Sequence, residues 1–369
     1  MIKTLVPQIL TSRTLAALSY SGRAAIRRIR REPPVLQAFI EPGEPYSELL
    51  AQALPPLADR LGARIHWHQV GPPVASAAPE RERLARWSQQ DAELLAQEYG
   101  LDPNASPSAS LDMSPVETGE ALRLKLGHYA SAMTWFEGEW FWGIDRLHFL
   151  ENRLGGGRQD LTLAPPRLPE MELGGEMDVY LSLRSPYSYL ILERLAQVRS
   201  VWNTRIHLKP VLPMVMRNLP VPWAKRVYIV RDCTRLADYQ GCDFGRIHDP
   251  LGPGVERGLA VLHHALSNNK GFGFALSFLR GAFSEGVDAT TPQGLNHLAQ
   301  RAGLSWDQVR AALNDESWKE AFELNRQALF EMGLWGVPSL SVDGQFAFGQ
   351  DRLARAAGWL AKSATPSES

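Results

Sequence analysis

The run MDVYLSLRSPYSYLILERL, residues 177–195, decides how the second half of the chain is read. It is an apolar β-type stretch, a Pro-Tyr-Ser turn and then an amphipathic helical pattern. Ser185 stands immediately before Pro186, and a serine followed by a proline in the first helical position is a strong helix-start signal. Ser185 is therefore expected to cap a helix. Its hydroxyl would lie where the first backbone N–H groups and the positive end of the helix dipole favour an anion such as a thiolate or a carboxylate. By itself the same serine reads first as an ordinary cap.

Working outward, the same order of pieces occurs twice. QAFIEPGEPYSELLAQAL (37–54) matches the run above, with Glu44 at the place of Ser185. LGHYASAMTWFEGEWFWGIDRLHFL (126–150) matches MGLWGVPSLSVDGQFAFGQDRLARAA (332–357), with Ala132 at the place of Pro338. In each of these later pieces two β-type runs are joined by Glu-Gly or Asp-Gly, dipeptides that supply the positive φ of a tight hairpin. Each half thus reads strand, helix, middle section, hairpin, helix, which implies an internal duplication. Between the halves, ENRLGGGRQDLTLAPPRLPEMELGGE (151–176) is rich in Gly and Pro and reads as a linker. We expect an α/β protein with a first domain over 1–155, a linker over 156–176 and a second domain over 177–363. Apolar periodicity in VERGLAVLHHAL, FGFALSFLRGAF, PQGLNHLAQRA and SWDQVRAALN predicts an all-helical insertion over about 207–330.

The bulk composition narrows the partners. With 44% hydrophobic residues, 21% charged residues and a net charge of -1, nothing pulls the whole chain toward nucleic acid, and a small-molecule substrate is the natural partner. Only Cys233 and Cys242 are present, without the spacing of a zinc site, so a reducing, cytoplasmic setting and no metal are expected. No apolar stretch is long enough to span a membrane. The cluster Arg23, Arg27, Arg28, Arg30 and Arg31 reads either as a solvated basic helix face or as a contact for a phosphate-rich partner or membrane surface.

The combination of S-P-Y-S after the opening strand, G-V-P-S before the hairpin and G-Q-D-R-L after it resembles the 2-hydroxychromene-2-carboxylate isomerases and kappa-class glutathione transferases of the thioredoxin-like disulfide-oxidoreductase superfamily. K-P-V-L-P (209–213) and E-G-V-D (285–288) extend the resemblance over the second half. It implies two tandem thioredoxin-like domains, the first degenerate and the second carrying the helical insertion. It further implies glutathione as cofactor, with Ser185 hydrogen-bonding the sulfur and Pro338 as a cis-proline. Val337 would pair through its backbone with the cysteinyl group, and Gln350 and Asp351 would hold the γ-glutamyl end. Asn218, with Lys225, falls in the stretch that closes over glutathione, and Tyr187 and Trp223 would line the substrate pocket. The implied activity is a glutathione-dependent isomerase or transferase acting on an electrophilic or unsaturated carboxylate. The alternative is a non-catalytic thioredoxin-like protein that binds a peptide or protein. Two departures stand out: Ser182 replaces the family's Asp, and Ser185 and Ser188 replace C-x-x-C, so no mixed disulfide can form there. The assembly expected is a monomer with two pseudo-equivalent halves or a homodimer.

Overall fold

The computed structural model describes residue 8, residues 10–155 and residues 161–364. The start of the expected linker, 156–160, lies outside the described residues, as do 1–7, 9 and 365–369. The chain divides into two units. One comprises Arg13–Pro166 together with Val221–Tyr228, and the other Arg167–Pro220 and the chain from Ile229 onward, with the described residues that precede Arg13.

The first unit opens with helix α1 (Arg13–Arg30), followed by β1 (Val35–Ile40), α2 (Pro45–Leu61), β2 (Arg64–Gln69), α3 (Arg81–Tyr99), β3 (Met113–Ser114), α4 (Val116–Lys125), β4 (Met133–Phe136), β5 (Glu139–Trp142) and α5 (Leu147–Gly155). The strands form one sheet in the order β3-β2-β1-β4-β5. β1 runs parallel to β2 and antiparallel to β4. Because successive side chains of a strand point to opposite faces, β1 serves two cores. Leu36, Ala38 and Ile40 pack with Leu50, Leu54 and Leu57 of α2 and Leu147 and Leu150 of α5, whereas Phe39 packs with Met133, Trp140 and Tyr228. α2 continues through Pro55 and Pro56, residues that ordinarily break a helix. Burial of Leu54, Leu57 and Ala58 outweighs the backbone hydrogen bonds that the prolines remove, and Gly62 ends the helix in the left-handed region.

The second unit contains β6 (Glu176–Leu181), α6 (Pro186–Trp202), β7 (Arg205–Pro210), the part from Ile229 of α7 (Trp223–Gln240), α8 (Pro253–Ser267), α9 (Gly271–Arg280), α10 (Pro292–Arg301), α11 (Trp306–Leu313), α12 (Trp318–Glu331), β8 (Ser339–Val342), β9 (Gln345–Phe348) and α13 (Leu353–Ala364). Its sheet has the order β7-β6-β8-β9, with β6 parallel to β7 and antiparallel to β8. The hairpin turns at Asp343 and Gly344, both at positive φ, and its counterpart in the first unit turns at Glu137 and Gly138 in the same way.

One expectation is corrected here. The stretch about 207–330 is not all helical at its start, since Arg205–Pro210 is strand β7, paired with the whole of β6. The charged residues of RIHLKP conceal a strand whose Leu208 is buried. The two units divide within the Gly- and Pro-rich segment, at Pro166 and Arg167, and it is packed on both sides of that division. Leu163 joins the core of the first unit, and Thr162 binds Glu151. From Arg167 on it packs in the second unit, where the Trp202 indole donates to the Pro169 carbonyl at 2.8 Å and Glu176 already opens β6.

Inside the helical part, Gly258 of α8 is crowded: a side-chain carbon there would come within 2.5 Å of the Phe278 ring and 2.9 Å of Leu183. That glycine lets α8 lie against the loop that leaves β6. Cys233 is buried, Cys242 half-buried, and both are free thiols.

Candidate active site

The candidate site sits at the carboxyl end of β6, an inner strand of its sheet. Ser182 to Ser185 form a tight turn, with the Ser185 N–H donating to the Ser182 carbonyl at 3.0 Å. Ser185 is the N-cap of α6 in extended backbone, and its Oγ accepts the Ser188 N–H at 3.2 Å. Ser188 is buried and its own Oγ accepts the Ser182 N–H at 3.2 Å, which ties the strand end to the first helical turn. A hydroxyl has one hydrogen to donate beside its lone pairs. Among the described residues the half-buried Ser185 hydroxyl donates to no protein group, so its hydrogen is available to a ligand.

The second wall comes from the loop before β8. The β6–β8 register runs from Asp178 against Ser341 to Tyr180 against Ser339, which brings the loop before β8 to the end of β6. The Val337–Pro338 peptide is cis. Three contacts position the loop: the Gly349 N–H donates to the Pro338 carbonyl at 2.9 Å, Ser339 Oγ to the Gly336 carbonyl at 2.9 Å, and the Arg217 guanidinium to the Trp335 carbonyl at 3.0 Å. Gly336 faces Phe348 so closely that an added carbon would stand 2.5 Å from the ring. Among the described residues neither the N–H nor the carbonyl of Val337 has a hydrogen-bond partner.

Gln350 and Asp351 lie in a short 3-10 turn that leads into α13. Gln350 is buried, with its carbonyl oxygen accepting from Gln240 at 2.9 Å and its amide donating to Asp351. Both ends of that side chain are thus held within the protein, and its main-chain carbonyl accepts from Arg194 at 3.4 Å. Burial pushes the Arg194 guanidinium down from its ordinary value, against the opposing attraction of the Asp351 carboxylate.

Other expected residues are placed differently. The Tyr187 hydroxyl donates at 2.9 Å to the buried carboxylate of Asp232 on α7, which also holds Arg235 at 2.6 Å; this ring braces two helices. Trp223 is 64% exposed at the start of α7, within the segment that belongs to the first unit. In the same segment Lys225 is not a solvated charge: its Nζ donates to the Ala77 carbonyl at 2.8 Å, and burial lowers its pKa. Asn218 is exposed and ends the turn Met214–Arg217 in the left-handed region.

One feature has no local signature in the sequence. A cleft of about 400 Å3 opens in the second unit, with Leu212, Met216, Trp318 and Phe322 as apolar walls and Glu256, Lys319, Glu323 and Arg326 as its charged lining. Two hydrogen bonds tie its segments to neighbouring strands and loops. Asn325 of α12 donates to the Pro210 carbonyl at 3.0 Å, and the turn that carries Met216 is held to the Trp335 carbonyl.

The first unit carries a counterpart with different chemistry. Glu44 caps α2, its carboxylate accepting the N–H groups of Tyr46 at 3.1 Å and Ser47 at 2.8 Å. Burial raises its pKa to about 7 against those hydrogen bonds, and Glu41 adds to the rise. Burial also raises Glu41, which accepts from Ser131 Oγ at 3.0 Å. The Glu44 carboxyl group thus takes up the N–H groups of the helix start that a ligand's anion would otherwise meet. Ala132 follows Ser131 at a φ of 53°.

Over 197 residues, 48% of this chain and 87% of the relative, the chain is 25% identical to human glutathione S-transferase kappa 1. Among solved structures it is similar to a 2-hydroxychromene-2-carboxylate isomerase (17% identity, 51% of this chain, 95% of that one, TM-score 0.45). A further similar structure is the cytosolic disulfide reductase DsbM of Pseudomonas aeruginosa (17% identity, 51% and 96%, TM-score 0.40). The DSBA-like thioredoxin domain matches residues 176–361, half of the chain, and the chain belongs to that family.

Proposed function

We propose that the second half is a glutathione-dependent isomerase or transferase in which Ser185 stabilises a thiolate. The observation that carries this reading is the Ser185 hydroxyl, whose oxygen is occupied by the capping N–H while its hydrogen is left to donate. The kinship with a glutathione transferase supplies the ligand class.

The residues present suit a thiol-bearing tripeptide. The open backbone groups of Val337 match an extended cysteinyl residue, which would pair there as an added strand does. The Asp351 carboxylate suits an ammonium. Gln350 would act through its neighbours, since its side chain is already engaged. When bound, glutathione supplies a nucleophilic sulfur. The protein's share is electrostatic: a hydrogen bond from Ser185 and the positive end of α6 both favour the charged form of a thiol. With serines at 185 and 188, disulfide exchange at this position has no sulfur partner.

The cleft suits the carbon frame of the second reactant, an unsaturated small molecule, through its apolar walls; a carboxylate on it would have to draw Arg326 from Glu323 or Lys319 from Glu316. The first half reads as a degenerate copy. The sheets share the order of their matching strands, and Tyr46 binds Asp91 as Tyr187 binds Asp232, each pair 45 residues apart. Glu44 denies that copy an anion site.

The unpaired edge at Val337 also favours a second reading, capture of an extended peptide without chemistry. Titration with glutathione separates the two. Saturable binding that shifts the thiol pKa supports the enzyme, and binding of peptides with no preference for glutathione supports the alternative.

A further inference from the structure

Helix α1 runs from Arg13 to Arg30 and is amphipathic in an unusual sense: its apolar stripe faces solvent. Leu15, Leu18, Ile26 and Ile29 are 52%, 65%, 52% and 81% exposed. At roughly 100° per residue they fall, with Gly22, within about 80° of arc on one face. The opposite face attaches the helix to its unit. Arg27 pairs with Glu137 and lies 5.3 Å from the Phe136 ring centre, and the Arg153 guanidinium stacks 3.9 Å over Tyr20. The helix is thus anchored with its apolar stripe turned outward.

The charge on the helix is equally one-sided. From Arg13 to Arg31 there are six arginines and no acidic residue, in a chain whose net charge is -1. Arg23 and Arg30 border the stripe on one side and Arg28 lies beyond it on the other, all three exposed.

We propose that α1 is a docking surface for an anionic phospholipid membrane, lying in the plane of the interface. The apolar stripe would enter the boundary between headgroups and acyl chains while the arginines meet phosphate and carboxylate above it. A nucleic acid would leave the four apolar side chains in water, and a plain apolar partner would leave the arginines unmatched. An anionic bilayer satisfies both at once. No helix among the described residues is long and apolar enough to cross a membrane, so the contact is peripheral.

The test is co-sedimentation of the full chain with vesicles of phosphatidylcholine alone and of phosphatidylcholine mixed with phosphatidylserine. Binding to the mixed vesicles only, weakened by added salt, is the expected result. Two triple variants probe the two components: Leu18→Ser with Ile26→Ser and Ile29→Ser, and Arg23→Gln with Arg28→Gln and Arg30→Gln. Each should lower the partition coefficient on the order of 100-fold. Because all six side chains are exposed, both variants should keep the wild-type melting temperature. The proposal is overturned if the wild type does not prefer anionic vesicles, or if either variant binds them as the wild type does. It is likewise overturned if vesicles are ignored and the apolar variant instead dissolves a self-associated state, which would make a second copy the occupant.

Discussion

Replacing Ser185 by alanine separates a structural role from a chemical one. In the structure Ser185 Oγ accepts a single backbone hydrogen bond, from Ser188 at 3.2 Å. Losing a capping serine costs about 1 kcal/mol, which in a chain of this size lowers the melting temperature by roughly 2–4 °C. If the residue does no more than cap, that is the whole effect. The account given above demands more. Removing one hydrogen bond from a charge that the site must stabilise costs about 2.7 kcal/mol, on the order of 100-fold in rate. The same energy, expressed on the bound thiol, raises its pKa by up to roughly 2 units. The assay is the ultraviolet absorbance of the glutathione thiolate, followed against pH in the wild type and in Ser185→Ala, with binding checked separately. Glutathione should still bind, because Val337 and Asp351 are untouched. An unchanged thiol pKa would refute the reasoning, and a covalent adduct on Ser185 would replace it with another mechanism.

Other substitutions test the supporting contacts. Gly336→Ala would put a carbon 2.5 Å from the Phe348 ring, so it should destabilise the protein by about 1–3 kcal/mol and weaken glutathione binding; a variant that melts and binds like the wild type would contradict the tight seat of this loop. Tyr187→Phe removes one partner of the buried Asp232 and should cost about 1–3 kcal/mol of stability with the bound thiol pKa unchanged, as thermal melting and the absorbance titration would show. Glu44 has a raised pKa in the fold, so its protonated form is favoured there. Its contribution to stability is fully present below the ordinary value of 4.5 and is lost as pH rises through about 7. Denaturant unfolding across that window should therefore show Glu44→Gln gaining on the wild type by up to about 3 kcal/mol on the alkaline side, and parallel pH profiles would count against the buried carboxylate.

What the sequence revealed and what it concealed have physical causes. The x-P-Y-S helix starts, the Glu-Gly and Asp-Gly hairpins and the bond before Pro338 are local, because a cap or a turn is decided by a few adjacent residues. Strand β7 escaped detection because Arg205, His207 and Lys209 hide a paired strand with only Leu208 and Pro210 buried. The continuation of α2 through Pro55 and Pro56 runs against a local rule that tertiary burial overrides. Val221–Tyr228 gave no sign of belonging with the first unit, since Tyr228 finds its partners at Phe39, Met133 and Trp140, far away in sequence. The cleft joins residues from 212 to 326 and has no local signature for the same reason.

The central claim is that one glutathione-binding site exists per chain and that it lies at Ser185 and Val337. Calorimetric titration of the full chain with glutathione tests it most directly. The account predicts saturation at one glutathione per chain, and no second site at Glu44. Two equivalent sites per chain, or no heat beyond that of an unrelated tripeptide, would contradict it.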